Sequence, residues 1–431
     1  MKRRLFRLLM AAALATSVIG TGAPAAMASS GTPGDPTIVI TINDSHAGGS
    51  YDQTFDLAYS NTTTTGTPVY IYVPMGAIGD PTVASVNPQF DHNPADAFTP
   101  CADNTPAENL MTQAQITALG DELTDQIVAV DEAHFGEIGE AVPGDPDTEA
   151  LVLLAYNVQD ESYYDCSVTT YTAGYFAPEY ISDAGMNVIV IDSFDWANRV
   201  GAPRYLYEGV IAHEMEHLLQ NYSDPGELSW VDEGLADMAI FLNAYPWGGS
   251  HVTYHQVFHR ETSLTRWGGG LENYGASFSY FLYLWEQAGG NGTTDMTPDQ
   301  TYDGTAGDLL IKMIFEEQAD GMIGVQNAIN AYNATVPGTA NDLRSAEDLF
   351  KDWAVAIFLD YEGSETFDFS NLNFGDPVTT SWTIEIANDV FWGGRGQYNG
   401  AMPPARFVNN KNVPVQTALP FGTSYETFRN P

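Results

Sequence analysis

Basic side chains are scarce in this chain. Its 431 residues hold 15 Lys and Arg against 56 Asp and Glu, a net charge of −41. Beyond residue 28 only three lysines remain: Lys312, Lys351 and Lys411. So acidic a surface repels phosphate backbones, which argues against nucleic acid as a partner. Long apolar runs are also lacking. No stretch after the N-terminal segment has 18 consecutive apolar residues, so no membrane span is expected. Cysteine is nearly absent, with only Cys101 and Cys166. There is no internal repeat and no long low-complexity tract.

Residues 1–28 differ from the rest. Lys2, Arg3, Arg4 and Arg7 precede an apolar run from Leu8 to Ile19, and Ala26-Met27-Ala28 fits an A-x-A cleavage site. The pattern predicts a signal peptide cleaved after Ala28 and a secreted, extracellular protein. Its loss takes four of the 15 basic residues and none of the 56 acids, for a net charge of −45. That charge has three readings: solubility in high salt, Ca²⁺ held by clustered carboxylates, or a plainly solvated surface. The segment Gly289–Gly304 sets Asn291, Asp295, Asp299 and Asp303 among glycines, without EF-hand spacing. In an exported chain, two cysteines read as one disulfide, worth about 4 kcal/mol in the chain-entropy model.

The strongest positive signal is His213-Glu214-Met215-Glu216-His217, an H-E-x-x-H pentad in a stretch that reads as helix from about Arg204 to Asn221. Helical positions i and i+4 lie about 40° apart, so both imidazoles can reach one ion. Val210, Ile211 and Leu218 offer the packing face, and Asp224-Pro225-Gly226 ends the helix. Two His, one carboxylate and a water make a common catalytic Zn²⁺ set. A third ligand is available in Trp230-Val231-Asp232-Glu233-Gly234-Leu235-Ala236-Asp237, which begins 13 residues after His217 and reads as a second helix. Glu233 can complete the trio. Asp237, one turn on, can hold an imidazole N–H and orient it. Glu214 and Glu216 flank the His face almost symmetrically, at about 100° and 300° from His213, so angle alone does not choose the general base.

HExxH followed by a W-x-(N/D)-E-G-(L/A)-A helix resembles the Glu-zincin metallopeptidases, most closely the hyicolysin-like and immune-inhibitor-A-like secreted proteases. The resemblance covers roughly residues 127–359 and is most specific around the two helices. Asp232 departs from the Asn common in thermolysin-like sequences. The resemblance implies Zn²⁺ held by His213, His217 and Glu233, with Glu214 as base, and a polypeptide substrate. It also implies a Tyr or His that stabilises the oxyanion. Tyr274, opening the segment Asn273–Trp285, is the candidate, with Tyr280 and Tyr283 as rivals. A Cys101 that caps the zinc in a latent form is an alternative to the disulfide.

The expected fold is α+β: a zincin-like domain over residues 106–360, with β-rich modules at 29–105 and 361–431. Thr37–Ile42, Pro68–Val73, Ala150–Tyr156 and Met186–Ile191 read as strands, and Gln113–Phe135 as helix. The first module could be a small β-sandwich or a pro or accessory segment. The resemblance implies an edge strand near Tyr175–Tyr180 that binds extended substrate and walls a cleft running between two lobes. His251, His255 and His259, at i, i+4 and i+8, read as a second metal site or as packing. Two other functions stay open: a zinc aminopeptidase or narrow-specificity glycoprotein protease, and a noncatalytic zinc-binding adhesion or matrix-binding protein.

Overall fold

Two short runs, Leu-Val-Leu-Leu-Ala-Tyr and Asn-Val-Ile-Val-Ile-Asp, carry apolar residues at nearly every position instead of alternating. Such runs suit central strands covered on both faces. They form β5 (Leu151–Tyr156) and β7 (Asn187–Asp192), buried at every residue. The computed structural model describes residues 29–359, except 45–48, 80–107, 169, 203, 246–250, 253, 256–258, 260, 291–304 and 337–342, together with 372–373 and 385–386. Residues 1–28, read as a signal peptide, Cys101, the acidic segment within 291–304 and nearly all of 361–431 therefore lie outside the described residues. Cys166 is described and is not a free thiol. The chain divides into two compact units between Ser223 and Asp224.

The first unit is built on a seven-stranded sheet in the order β1-β2-β3-β4-β5-β7-β6. Here β1 is Ser29–Ser30, β2 Thr37–Asp44, β3 Gly49–Thr62, β4 Pro68–Pro74 and β6 Gly174–Phe176. β1 to β4 form an antiparallel meander, β4, β5 and β7 run parallel, and β6 returns antiparallel along β7. Ile38, Ile40 and Ile42 alternate onto one face, where they join Phe55, Tyr72, Val152, Leu154, Tyr156, Val188 and Val190 in one cluster. Tyr180 and Met186 close that cluster from outside the strands. The sheet curls around it, so that Ser29 Oγ reaches the carbonyl of Ala184 (3.3 Å), just ahead of β7.

The opposite face takes the helices. α1 (Gln113–Glu122) and α2 (Val128–Phe135) are joined by a π turn at Leu123–Ile127. α1 starts at Thr112, whose hydroxyl accepts from the Gln115 amide while the Gln115 side chain accepts from the Thr112 amide. After the short α3 (Glu161–Tyr164), α4 (Leu206–Ser223) lies against β6 and β7. The sheet runs across the expected module boundary near residue 105. β4 pairs in parallel with β5, so the strands of 29–105 continue the sheet of the following segment. The pairing satisfies an edge that would otherwise expose a row of backbone groups.

Among its described residues, the second unit is helical apart from a two-residue ladder of β8 (Leu372–Asn373) and β9 (Glu385–Ile386). Its helices are α5 (Ser229–Leu242), α6 (Leu271–Gln287), α7 (Thr305–Glu316), α8 (Gly321–Thr335) and α9 (Ala346–Leu359). α6 is buried along almost its whole length and packs against α5, α7 and α9. Gly234 permits the close α5–α6 approach: a Cβ there would lie 2.5 Å from the Phe281 ring. Trp230 stacks on Phe281, centroids 5.6 Å apart. Mixed α+β is thus the architecture of the chain. No helix among the described residues is long and apolar enough to cross a membrane.

Candidate metal centre

α4 carries two imidazoles on one face because its helical spacing puts them there. His213 Nε2 and His217 Nε2 are 3.2 Å apart, with the rings nearly perpendicular at 86°. Ile211, Met215 and Leu218 anchor the helix and are fully buried. At its start, Tyr205 has φ +45°, an uncommon conformation for a residue with a side chain. The Glu208 carboxylate in the first turn accepts from the Gly201 amide at 2.7 Å, which ties the preceding loop to the helix. Burial pushes the Glu208 carboxyl up to about 7.

Glu214 is completely buried. It packs on the edge strand at Gly174, where an added Cβ would meet Glu214 Cγ at 3.3 Å, Val190 O at 2.7 Å and Val210 Cγ1 at 2.5 Å. Only glycine lets α4 approach β6 this closely. Glu216 is also completely buried. Its Oε2 is 3.6 Å from His217 Nδ1. That is too long for a hydrogen bond, but it favours the proton on Nδ1 and leaves Nε2 as a lone-pair donor. β6 pairs only with β7 among the described strands, so its outer edge is open to pairing there.

α5 buries the other two acids, Glu233 and Asp237. The Tyr274 hydroxyl donates to Glu233 Oε1 at 3.0 Å. The residue read as an oxyanion donor is thus hydrogen-bonded to the candidate third ligand. Asp237 meets the imidazole of His251, with Nδ1 3.0 Å from Oδ2, a histidine outside the candidate ligand sets. His251 also lies against Tyr274, ring centroids 5.1 Å apart, and Trp267 meets Tyr274 edge-on at 4.9 Å. Glu233, Tyr274, His251 and Asp237 thus form one buried group in the second unit.

The three spaced histidines separate. His251 joins Asp237, His255 stacks on Trp353 at 5.9 Å, and His259 lies exposed with Glu261 4.0 Å away. None of the three belongs to a set of described residues that could hold an ion. Tyr280 donates to the Ala346 carbonyl at 3.1 Å, so its hydroxyl serves packing of the second unit. His251 is the residue that sequence reasoning placed without its partner. The available signal was an Asp on the α5 face with an orphan histidine downstream. No family model matches this chain, and no curated protein matches it.

Proposed function

We propose that this chain is a secreted zinc-dependent endopeptidase with a zincin-like catalytic core. The observation that carries the reading is the 3.2 Å separation of the two Nε2 atoms beside the buried Glu214. Two nitrogens each about 2.0–2.1 Å from a tetrahedral Zn²⁺ sit about 3.3 Å apart, so the pair fits a shared ion. His213, His217 and Glu233 form a set that could hold a metal, as do Glu216, His217 and Asp232. The first set is the better match to zinc, because two imidazoles and one carboxylate suit it more than a carboxylate-rich set.

Bound there, Zn²⁺ would bring the pKa of a coordinated water toward about 7 and polarise a carbonyl. Glu214 accepts the proton at its carboxylate and passes it to the departing amine. The open edge of β6 pairs with an extended peptide and carries it past Glu214, because Gly174 brings strand and helix together. Tyr274 donates its one hydroxyl proton to Glu233 and orients it; as the candidate donor to the oxyanion it would have to turn that proton away from Glu233. The Glu216 carboxylate, 3.6 Å from His217 Nδ1, favours a proton on that nitrogen by its charge. The acidity of the chain keeps nucleic acid out of the partner set.

The test uses casein, 1,10-phenanthroline and the Glu214→Gln variant. Cleavage that disappears with the chelator and falls about 10²–10⁴-fold in the variant, with zinc still bound, supports the reading. A folded, zinc-loaded protein that cleaves nothing, or a variant as active as the parent, sinks it.

A further inference from the structure

The first unit contains a groove of about 770 Å³ that the steps above do not use. It begins immediately past the edge strand. Pro178, Ile181, Val142 and Pro143 form apolar walls, and Glu179 and Asp183 supply carboxylates. Asn221 of α4 contributes to the lining. The volume lies in the range of ligand sites.

Two independent rulers tie this groove to Glu214. Along α4, Asn221 lies seven residues after Glu214, which is two turns on the same helical face and about 10 Å away. Along the sheet edge, Pro178 and Glu179 lie four and five residues beyond Gly174, the contact point of Glu214. Only the two steps from Gly174 to Phe176 are extended, about 7 Å at about 3.3 Å each, and Glu179 already opens the helical turn that follows the strand. A peptide paired with β6 would therefore bring a side chain to the groove a few residues from the bond beside Glu214.

We propose that the groove is a specificity subsite for a basic side chain, arginine or lysine, a few residues from the cleaved bond. This rests on the peptidase reading. The lining matches that side chain in both of its parts: an alkyl stem packs on proline, valine and isoleucine while the cationic head reaches carboxylates. An apolar side chain would leave two acids facing it, and an acidic one would be repelled. The overall acidity of the chain attracts any cationic peptide, but weakly and without regard to position. The groove adds dependence on position.

The experiment uses the full-length secreted protein and fluorescein-labelled octapeptides with one arginine walked along the sequence. Norleucine peptides serve as the partner set, keeping a stem without the charge. Binding is read by polarisation at low and raised salt. The expected result is a preference of about tenfold or more for arginine at one position. The preference should fall to about onefold in the Glu179→Gln/Asp183→Asn double variant and persist in Glu347→Gln, which removes a remote charge. Equal binding of both peptide sets overturns the proposal. So does a preference that survives in the double variant, because it would then belong to the net charge. Hydrolysis is read separately. An intact arginine preference with no cleavage counts against the peptidase reading and not the groove. Cleavage at sites unrelated to the arginine counts against the groove alone.

Discussion

The two halves of the proposed centre are held in different ways. On α4, the imidazoles are set by the spacing of one helix, four residues apart and 3.2 Å between nitrogens. On α5, each acid is held by a residue from elsewhere in its unit: Glu233 by Tyr274, 41 positions on, and Asp237 by His251, 14 positions on. Local geometry positions the first half, and tertiary contacts position the second. The first should lose function when a ligand is removed and tolerate little else. The second should weaken by degrees as its supports are taken away.

The largest effect is expected from the local half. His217→Ala removes a proposed ligand and one wall of the pair, and should lower casein cleavage about 10³-fold or more, with bound zinc lost by elemental analysis. A variant that keeps both zinc and activity would remove α4 from the proposed centre.

Next comes the base of the same helix. The Glu208 carboxyl is pushed up to about 7 by burial, against about 4.5 in an unfolded chain. The fold therefore disfavours the ionised form. This group's contribution is fully present below about pH 4.5 and is lost as pH rises through about 7. The difference corresponds to about 3 kcal/mol. Glu208→Gln should match the parent near pH 4 and exceed it by up to about that amount at pH 8. Urea unfolding at several pH values checks this, and parallel curves for the two proteins would refute it.

The tertiary half should respond more gently. Tyr274→Phe removes a hydrogen bond to Glu233 while keeping the ring against His251 and Trp267. Zinc affinity should fall about 10–100-fold, measured by competition with a chromogenic chelator. Unchanged affinity accompanied by a fall in kcat would instead assign the hydroxyl to the reacting carbonyl. Gly174→Ala sharpens the comparison from the sheet side. Its Cβ would press on Val210 and on the Val190 carbonyl, costing about 1–3 kcal/mol in thermal or urea unfolding. A neutral substitution there would mean that α4 does not approach β6 so closely.

Much of the frame was legible from residue patterns. β5 and β7 announced themselves as unbroken apolar runs, and α4 and α5 lie within a few residues of their expected bounds. The meander of β2 and β4 was visible as strands, but its pairing with β5 was not, because no local pattern names a partner across the 76 residues from Pro74 to Leu151. The burial of Glu216 was not legible, because a helical wheel ranks angles and does not say what covers them. The π turn inside Gln113–Phe135 left no mark in the apolar spacing.

The amino-acid sequence by itself determined the H-E-x-x-H pair, the chemistry of its donors, the alternation that builds the sheet and the acidity of the surface. These follow from spacing along one element and from composition, which neighbours in sequence settle. Only the tertiary structure decided that Asp237 meets His251, that Tyr274 holds Glu233, that Gly174 lets the helix reach the edge strand, and that a groove with two carboxylates opens beyond it. Those arrangements depend on which surfaces pack together, and packing joins residues whose separation along the chain carries no signal.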